Sequence, residues 1–188
     1  MRMHLVWDEV GEATAILDEA NLALQGDAAL PLWQHMLLYW LANDPTKHKV
    51  KVNEFLKKAS NMENQPAICN HFRVIWLGWI VLKKGISAAR DFYLKMAKRS
   101  PPCLQLHHKM IEYEKMQEDC NEACLRIYYV LACIHFGTDN KEIWLDYFRF
   151  EKEYGKPGQM GDLYNDACSY LNKSLVEQFK EEYNQLNK

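Results

Sequence analysis

Residues 144–151 read Trp144-Leu145-Asp146-Tyr147-Phe148-Arg149-Phe150-Glu151. The steps of three from Trp144 to Tyr147 to Phe150 keep three aromatic side chains on one face of a helix predicted over 140–154. The pattern recurs upstream as Trp33-x-x-Met36-x-x-Tyr39, Trp76-x-x-Trp79 and Met110-x-x-Tyr113. Between these stretches an apolar residue is followed four later by a small or flexible one, at Ile16/Ala20, Phe55/Ala59, Phe92/Met96, Tyr128/Ala132 and Leu163/Ala167. Those marks stand 39, 37, 36 and 35 residues apart, while Pro31, Pro66 and Pro101 recur every 35. Proline suits a first helical turn, so each is expected to open a helix. Two helices per ~35 residues, repeated, is the sequence signature of an α-solenoid.

The predicted elements are five helix pairs in a single domain over 1–188. The first pair is incomplete (near 1–24): a partial helix at 2–9 and a second at 12–24. Later pairs fall at 31–42 with 47–60, 67–83 with 86–98, 102–117 with 121–135, and 140–154 with 158–171. Asn43-Asp44-Pro45, Lys84-Gly85, Gly137-Thr138-Asp139 and Gly155-Lys156-Pro157-Gly158 supply the breaks. A final amphipathic helix near 174–186, with Val176, Phe179, Tyr183 and Leu186 in helical register, is expected to cap the last pair. The incomplete first pair leaves the packing partners of Ile16, Leu17 and Leu24 partly missing, so that end is expected to fray.

Composition agrees with an all-α, soluble class. Of 188 residues 48% are hydrophobic, enough for a core, while eight Gly and six Pro are too few for a loop-rich β-sandwich or a low-complexity chain. The longest apolar run, Val74 to Leu82, is far short of the ~20 residues of a membrane span. Met1-Arg2-Met3-His4 does not read as a signal peptide, so an intracellular compartment is expected, with the six cysteines reduced and packed.

The motif residues resemble half-a-TPR (HAT) repeats, in which helix A reads Trp-x-x-Tyr-x-x-Phe-Glu and helix B reads Ala-Arg-x-Ile-Tyr-x-x-Ala. Residues 144–151 match helix A in full, and Ala89-Arg90-Asp91-Phe92-Tyr93 matches the start of helix B. The unit at 109–115 keeps Tyr113 and Glu114, with His107 in the Trp slot. The segments LPLW at 30–33, KMIEYEK at 109–115 and IWLDYF at 143–148 are similar, in order and spacing, to the C-terminal part of the U3 small nucleolar RNA-associated protein 6 family. That family's members are much longer, so the chain looks like a fragment of such a protein.

This resemblance implies an α-α superhelix of TPR-like HAT repeats. It also implies a non-enzymatic scaffold of the nucleolar small-subunit processome, in a UTP-B-like subcomplex, supporting U3 snoRNP-dependent pre-rRNA processing and 18S rRNA maturation. The implied partners are β-propeller (WD-repeat) and other subunits of a pre-ribosomal particle, with U3 snoRNA or pre-rRNA contacted directly or through them. The implied location is the nucleus and nucleolus. Other readings are a HAT scaffold of splicing or 3′-end processing, or a TPR-like peptide-binding module. No membrane, small-molecule substrate or cofactor is implied.

Trp33, Trp79, Tyr113, Glu114, Trp144, Tyr147, Phe150 and Glu151 are expected to specify the fold, with Ala59, Ala132 and Ala167 letting helices approach. Charge adds a functional candidate. Residues 1–46 hold one basic and seven acidic side chains, 47–110 thirteen and three, and 111–188 nine and fifteen. The near-neutral total of −2 therefore conceals a basic middle. Lys51 and Lys58 share a helix face with Lys47, and Arg90, Lys95, Lys98 and Arg99 cluster on the next B helix. Such cations form either a solvated face or a surface for RNA phosphates or an acidic protein segment. Cys103, His107, Cys120 and Cys124 have spacings that superficially suit zinc. Packing thiols and a surface imidazole are the expected reading, and no catalytic motif is present.

Overall fold

The computed structural model describes residues 10–24, 26–42, 49–155 and 158–186. The partial helix expected at 2–9, the turn at 43–45 and Lys47 lie outside them. Among the described residues the elements are α1 (Val10–Ala23), a 3-10 turn (Gly26–Ala29), α2 (Leu30–Ala42), α3 (Lys49–Ala59), α4 (Pro66–Met96), α5 (Leu104–Lys115), α6 (Glu122–Phe136), α7 (Lys141–Tyr154), α8 (Gln159–Tyr170) and α9 (Lys173–Leu186), with no strand. Consecutive helices pack on one another as in a helical-repeat solenoid, α1 on α2 on α3 on α4, and α6 on α7 on α8. The fold is all-α. None of these helices is long and apolar enough to cross a membrane.

The chain divides into two compact units, residues 1–106 and 107–188. The first is built on tryptophan. Trp33 and Met36 of α2 are buried with Leu17 of α1, Leu56 and Ala59 of α3, and Phe72 of α4. The rings of Trp33, Phe55 and Phe72 meet pairwise at 4.9–6.0 Å, within the range of favourable edge and tilted contacts. The helix α4 is two arms, 66–84 and 86–96, folded about Gly85, whose φ of +80° lies in the left-handed region that glycine tolerates best. Trp76 of the first arm meets Phe92 of the second at 4.9 Å. Proline opens α4 as expected, and Pro31 lies in the first turn of α2.

Pro101 departs from that expectation. The next helix begins at Leu104, three residues later, and Pro101 stays in the loop. The reason is Pro102, which drives the residue before it away from helical backbone.

In the second unit α7 is central. Tyr147 stacks on Tyr129 of α6 (5.2 Å, planes 5° apart), and Phe150 stacks on the same ring at 5.3 Å. Trp144 instead faces Tyr170 of α8 at 6.0 Å. One aromatic face thus serves two neighbours, the preceding B helix and the following one. Ala132 and Ala167 are buried at these crossings, as Ala59 is in the first unit. The last helix packs on α7, burying Phe179 against Phe148 and Tyr164 at about 6 Å, with Tyr183 4.7 Å from Phe148.

Candidate partner-binding surface

The basic residues do not all present free charge. On α3, Lys51 Nζ stands 4.8 Å from the centre of the Trp40 ring and Lys58 Nζ 5.9 Å from that of Trp33. Lys58 also pairs with Asp18 of α1 at 2.9 Å. Both lysines line a cleft of about 370 Å³ with Thr14, Leu17, Met36 and Phe55. Both side chains are exposed overall, yet their ammonium groups stand over tryptophan rings, where the ring quadrupole attracts a cation. Arg99 likewise has local partners, Glu63 at 3.6 Å and a short hydrogen bond to Asn61. Arg90 is half-buried, whereas Lys95 and Lys98 are exposed, with no ion pair among the described residues. The cations therefore fall into two sets, one engaged with the fold and one pointing outward.

Two arginines that composition did not distinguish do structural work. Arg73 is fully buried on the first arm of α4. Its guanidinium donates to the carbonyls of Ser60 (3.2 Å), Arg99 (3.3 Å), Ser100 (2.8 Å) and Pro101 (2.6 Å). It thereby holds the 99–101 loop to the end of α3. Arg126 on α6 donates to Glu151 of α7 at 2.9 and 3.4 Å and to the Tyr154 carbonyl at 3.1 Å. That contact explains the glutamate closing the helix A motif, which is buried and needs a cation. Counting back from Ala132 along Ala-Arg-x-Ile-Tyr-x-x-Ala puts Arg126 in the arginine slot, so this residue had a signal. Arg73 had none, because backbone carbonyls leave no mark in a sequence.

Glu114, the other motif glutamate, is buried and accepts from the Asn121 backbone N–H at 3.3 Å, closing the turn before α6. Trp144 donates its indole N–H to the Gly137 carbonyl at 2.9 Å. A Cβ on Gly137 would stand 2.8 Å from that nitrogen, so the close approach requires glycine. Trp79 donates to Asn53 at 3.1 Å, and Tyr113 is half-buried.

The expectation of a surface imidazole at position 107 is corrected. His107 fills the tryptophan slot and is buried, its Nε2 3.5 Å from Nδ1 of His135, with the Phe136 ring at 5.8 Å. Burial first, then the neighbouring imidazoles of His135 and His108, pull its pKa down to about 4. Burial pushes the Cys133 thiol up to about 12 and raises those of Cys69 and Cys103, which keeps them protonated and inert. Among the described residues no three His, Cys, Asp or Glu side chains gather as a metal site would need.

The described residues thus form helical stacks closed by backbone-directed side chains, with Lys95 and Lys98 as an outward basic pair. Comparison with known proteins gives that architecture a family. The family model for the C-terminal region of U3 small nucleolar RNA-associated protein 6 matches residues 1–171. The mouse U3 small nucleolar RNA-associated protein 6 homolog is 27% identical over 164 residues, covering 86% of this chain and 27% of the mouse protein. The human homolog is 26% identical over 177 residues, covering 93% of this chain and 29% of its own length. The chain thus spans under a third of the length of these relatives. With the match running through every helix from α1 to α8, this chain belongs to the U3 small nucleolar RNA-associated protein 6 family, matching its C-terminal region.

Proposed function

We propose that this chain is a non-enzymatic scaffold within the nucleolar small-subunit processome, in a UTP-B-like subcomplex. In that role it supports U3 snoRNP-dependent processing of pre-rRNA toward 18S rRNA. The observation that carries this reading is the family match over residues 1–171, which coincides with a helical-repeat body rather than with a catalytic motif. Helical repeats bind through extended surfaces and act by holding partners in register. The partners proposed are β-propeller subunits of the particle, with U3 snoRNA or pre-rRNA reached through them or through the outward cations Lys95 and Lys98. The proposed location is the nucleolus.

The test is recovery of RNA with the tagged chain from cells. U3 snoRNA should be enriched over spliceosomal RNAs, and depletion should leave unprocessed 18S precursors. Enrichment of spliceosomal RNAs, or of no RNA, would overturn the reading.

A further inference from the structure

Residues 107–188 carry a groove of about 400 Å³ between α6 and α8, floored by α7. Cys133, Trp144 and Leu163 form its buried base. One wall is Val130 and Ile134, one turn apart on α6 and 42% and 58% exposed. Ile127, 47% exposed, continues the same stripe one turn earlier. Three exposed branched side chains on successive turns of one helix are an unpartnered apolar face, not scattered surface residues. The other wall is Asp162, Asp166 and Tyr170, at steps of four along α8.

The charge of this groove is one-sided. Arg126 and Glu151, which also line it, neutralise each other at 2.9 Å, and Glu122 lies 3.8 Å from the same guanidinium. Asp162 and Asp166 are exposed and have no ion pair among the described residues. An apolar wall facing an acidic wall suits an occupant that is apolar on one side and basic on the other. Phosphates would meet two carboxylates there, so nucleic acid does not fit.

We propose that this groove docks a basic amphipathic segment of a protein partner, its apolar side chains against Val130, Ile134 and Tyr170 and its Lys or Arg side chains on Asp162 and Asp166. The occupant enters as a helix laid in a groove does, with apolar anchors at helical spacing and charges fixing its direction. The proposal deepens the scaffold reading and rests on it for the source of the partner.

The test places the photo-crosslinking amino acid p-benzoylphenylalanine at Ile134 in the tagged full chain, in cells, and sequences the crosslinked product. The expected product is a protein segment with apolar residues at helical spacing and Lys or Arg within about two turns of the attachment point. Asp162→Lys with Asp166→Lys should cut the crosslink yield at least about tenfold, since like charges then face each other. Circular dichroism should show that the variant keeps its helicity. Crosslinks to RNA or to an acidic or uncharged segment, no crosslink, or a yield indifferent to the charge reversal would each overturn the proposal. U3 recovery from the same material separates the two readings. U3 present without the crosslink removes the groove and leaves the particle, and the expected crosslink without U3 does the reverse.

Discussion

In residues 107–188 two turns are closed by motif side chains, Glu114 on the Asn121 N–H and Trp144 on the Gly137 carbonyl, while Asn121 and Asn140, just outside the motifs, cap α6 and α7. In residues 1–106 the loop after α4 is held instead by Arg73, which belongs to no motif and bonds four carbonyls from inside the core. The two halves share a repeat plan and differ in where the closing group sits. A motif specifies the helix faces that meet, and loop closure follows it only where the loop returns to a motif residue.

Trp144→Ala should do the most damage. Large-to-small core changes of this kind cost ~3–5 kcal/mol, and here the Gly137 carbonyl also loses its donor, so the upper end is expected. Denaturant unfolding gives the magnitude, and hydrogen exchange should accelerate across 122–170 before it does in the first unit. Trp144→Phe should recover part of the packing but not the hydrogen bond. An alanine variant within 1 kcal/mol of the parent, on the order of an exposed substitution, would mean that the motif tryptophan does not close this half.

Arg73→Met tests the other half at about 3 kcal/mol. The change removes the cost of burying a cation but leaves carbonyls of the 99–101 loop without a donor, and that asymmetry dominates. Arg73→Lys should rescue little, since one ammonium cannot span four carbonyls as a planar guanidinium does. A methionine variant as stable as the parent would show that the loop is held by its own geometry and would erase the contrast between the halves.

These two residues also mark how far the sequence could be read. The aromatic steps located α2, α4, α7 and their partners to within a few residues, because helical periodicity is a local signal. Trp144 was legible as core for the same reason. Its division of labour with Tyr147 and Phe150 was not, since which neighbour each ring meets depends on the crossing of three helices. The start of α5 is not legible from Pro101, which has the look of a helix opener while Pro102 governs its backbone. The burial of His107 is not legible from the residue itself, since histidine carries no burial signal of its own, although it occupies a slot that is tryptophan elsewhere. Arg73 was invisible, as any interior group that bonds to backbone is.

Acid should separate the halves through His107. Its folded pKa is about 4 against an ordinary value near 6.5. Above pH 6.5 both folded and unfolded chains hold it neutral, and it contributes nothing to pH dependence. Between pH 6.5 and 4 the unfolded chain takes up a proton that the folded chain does not, so stability falls as pH falls, by about 3 kcal/mol at the foot of that window. His71 in the first unit is also lowered by burial and acts in the same direction. His107→Gln should flatten the decline below pH 6.5 whatever it does to stability at pH 7. Hydrogen exchange at pH 5 should loosen residues 107–188 in the parent and less so in the variant. Equal loosening in both would assign acid sensitivity to other groups.

The smallest effects on stability are expected from the cations of the first unit, and they bear most directly on function. Lys51→Glu and Lys58→Glu remove cations from over Trp40 and Trp33, and the second places a carboxylate beside Asp18. Each should cost about 0.5–1 kcal/mol, the range for exposed cation–π contacts and surface ion pairs. Lys95→Glu and Lys98→Glu disturb no such contact and should fall within about 0.5 kcal/mol of the parent. Particle association can then be compared between variants of nearly equal stability. If the outward pair meets RNA phosphates, the Lys95/Lys98 variant should lose association, and the parent should show a steep log-linear fall with salt that the variant lacks. If the cleft lysines make the contact, the Lys51/Lys58 variant should lose it instead, by more than its small instability explains. An acidic protein segment on either set would give a shallower salt dependence, through screening alone. Normal assembly of both variants at physiological salt would make the basic middle a solvated face, leaving recognition to the acidic groove of the second unit.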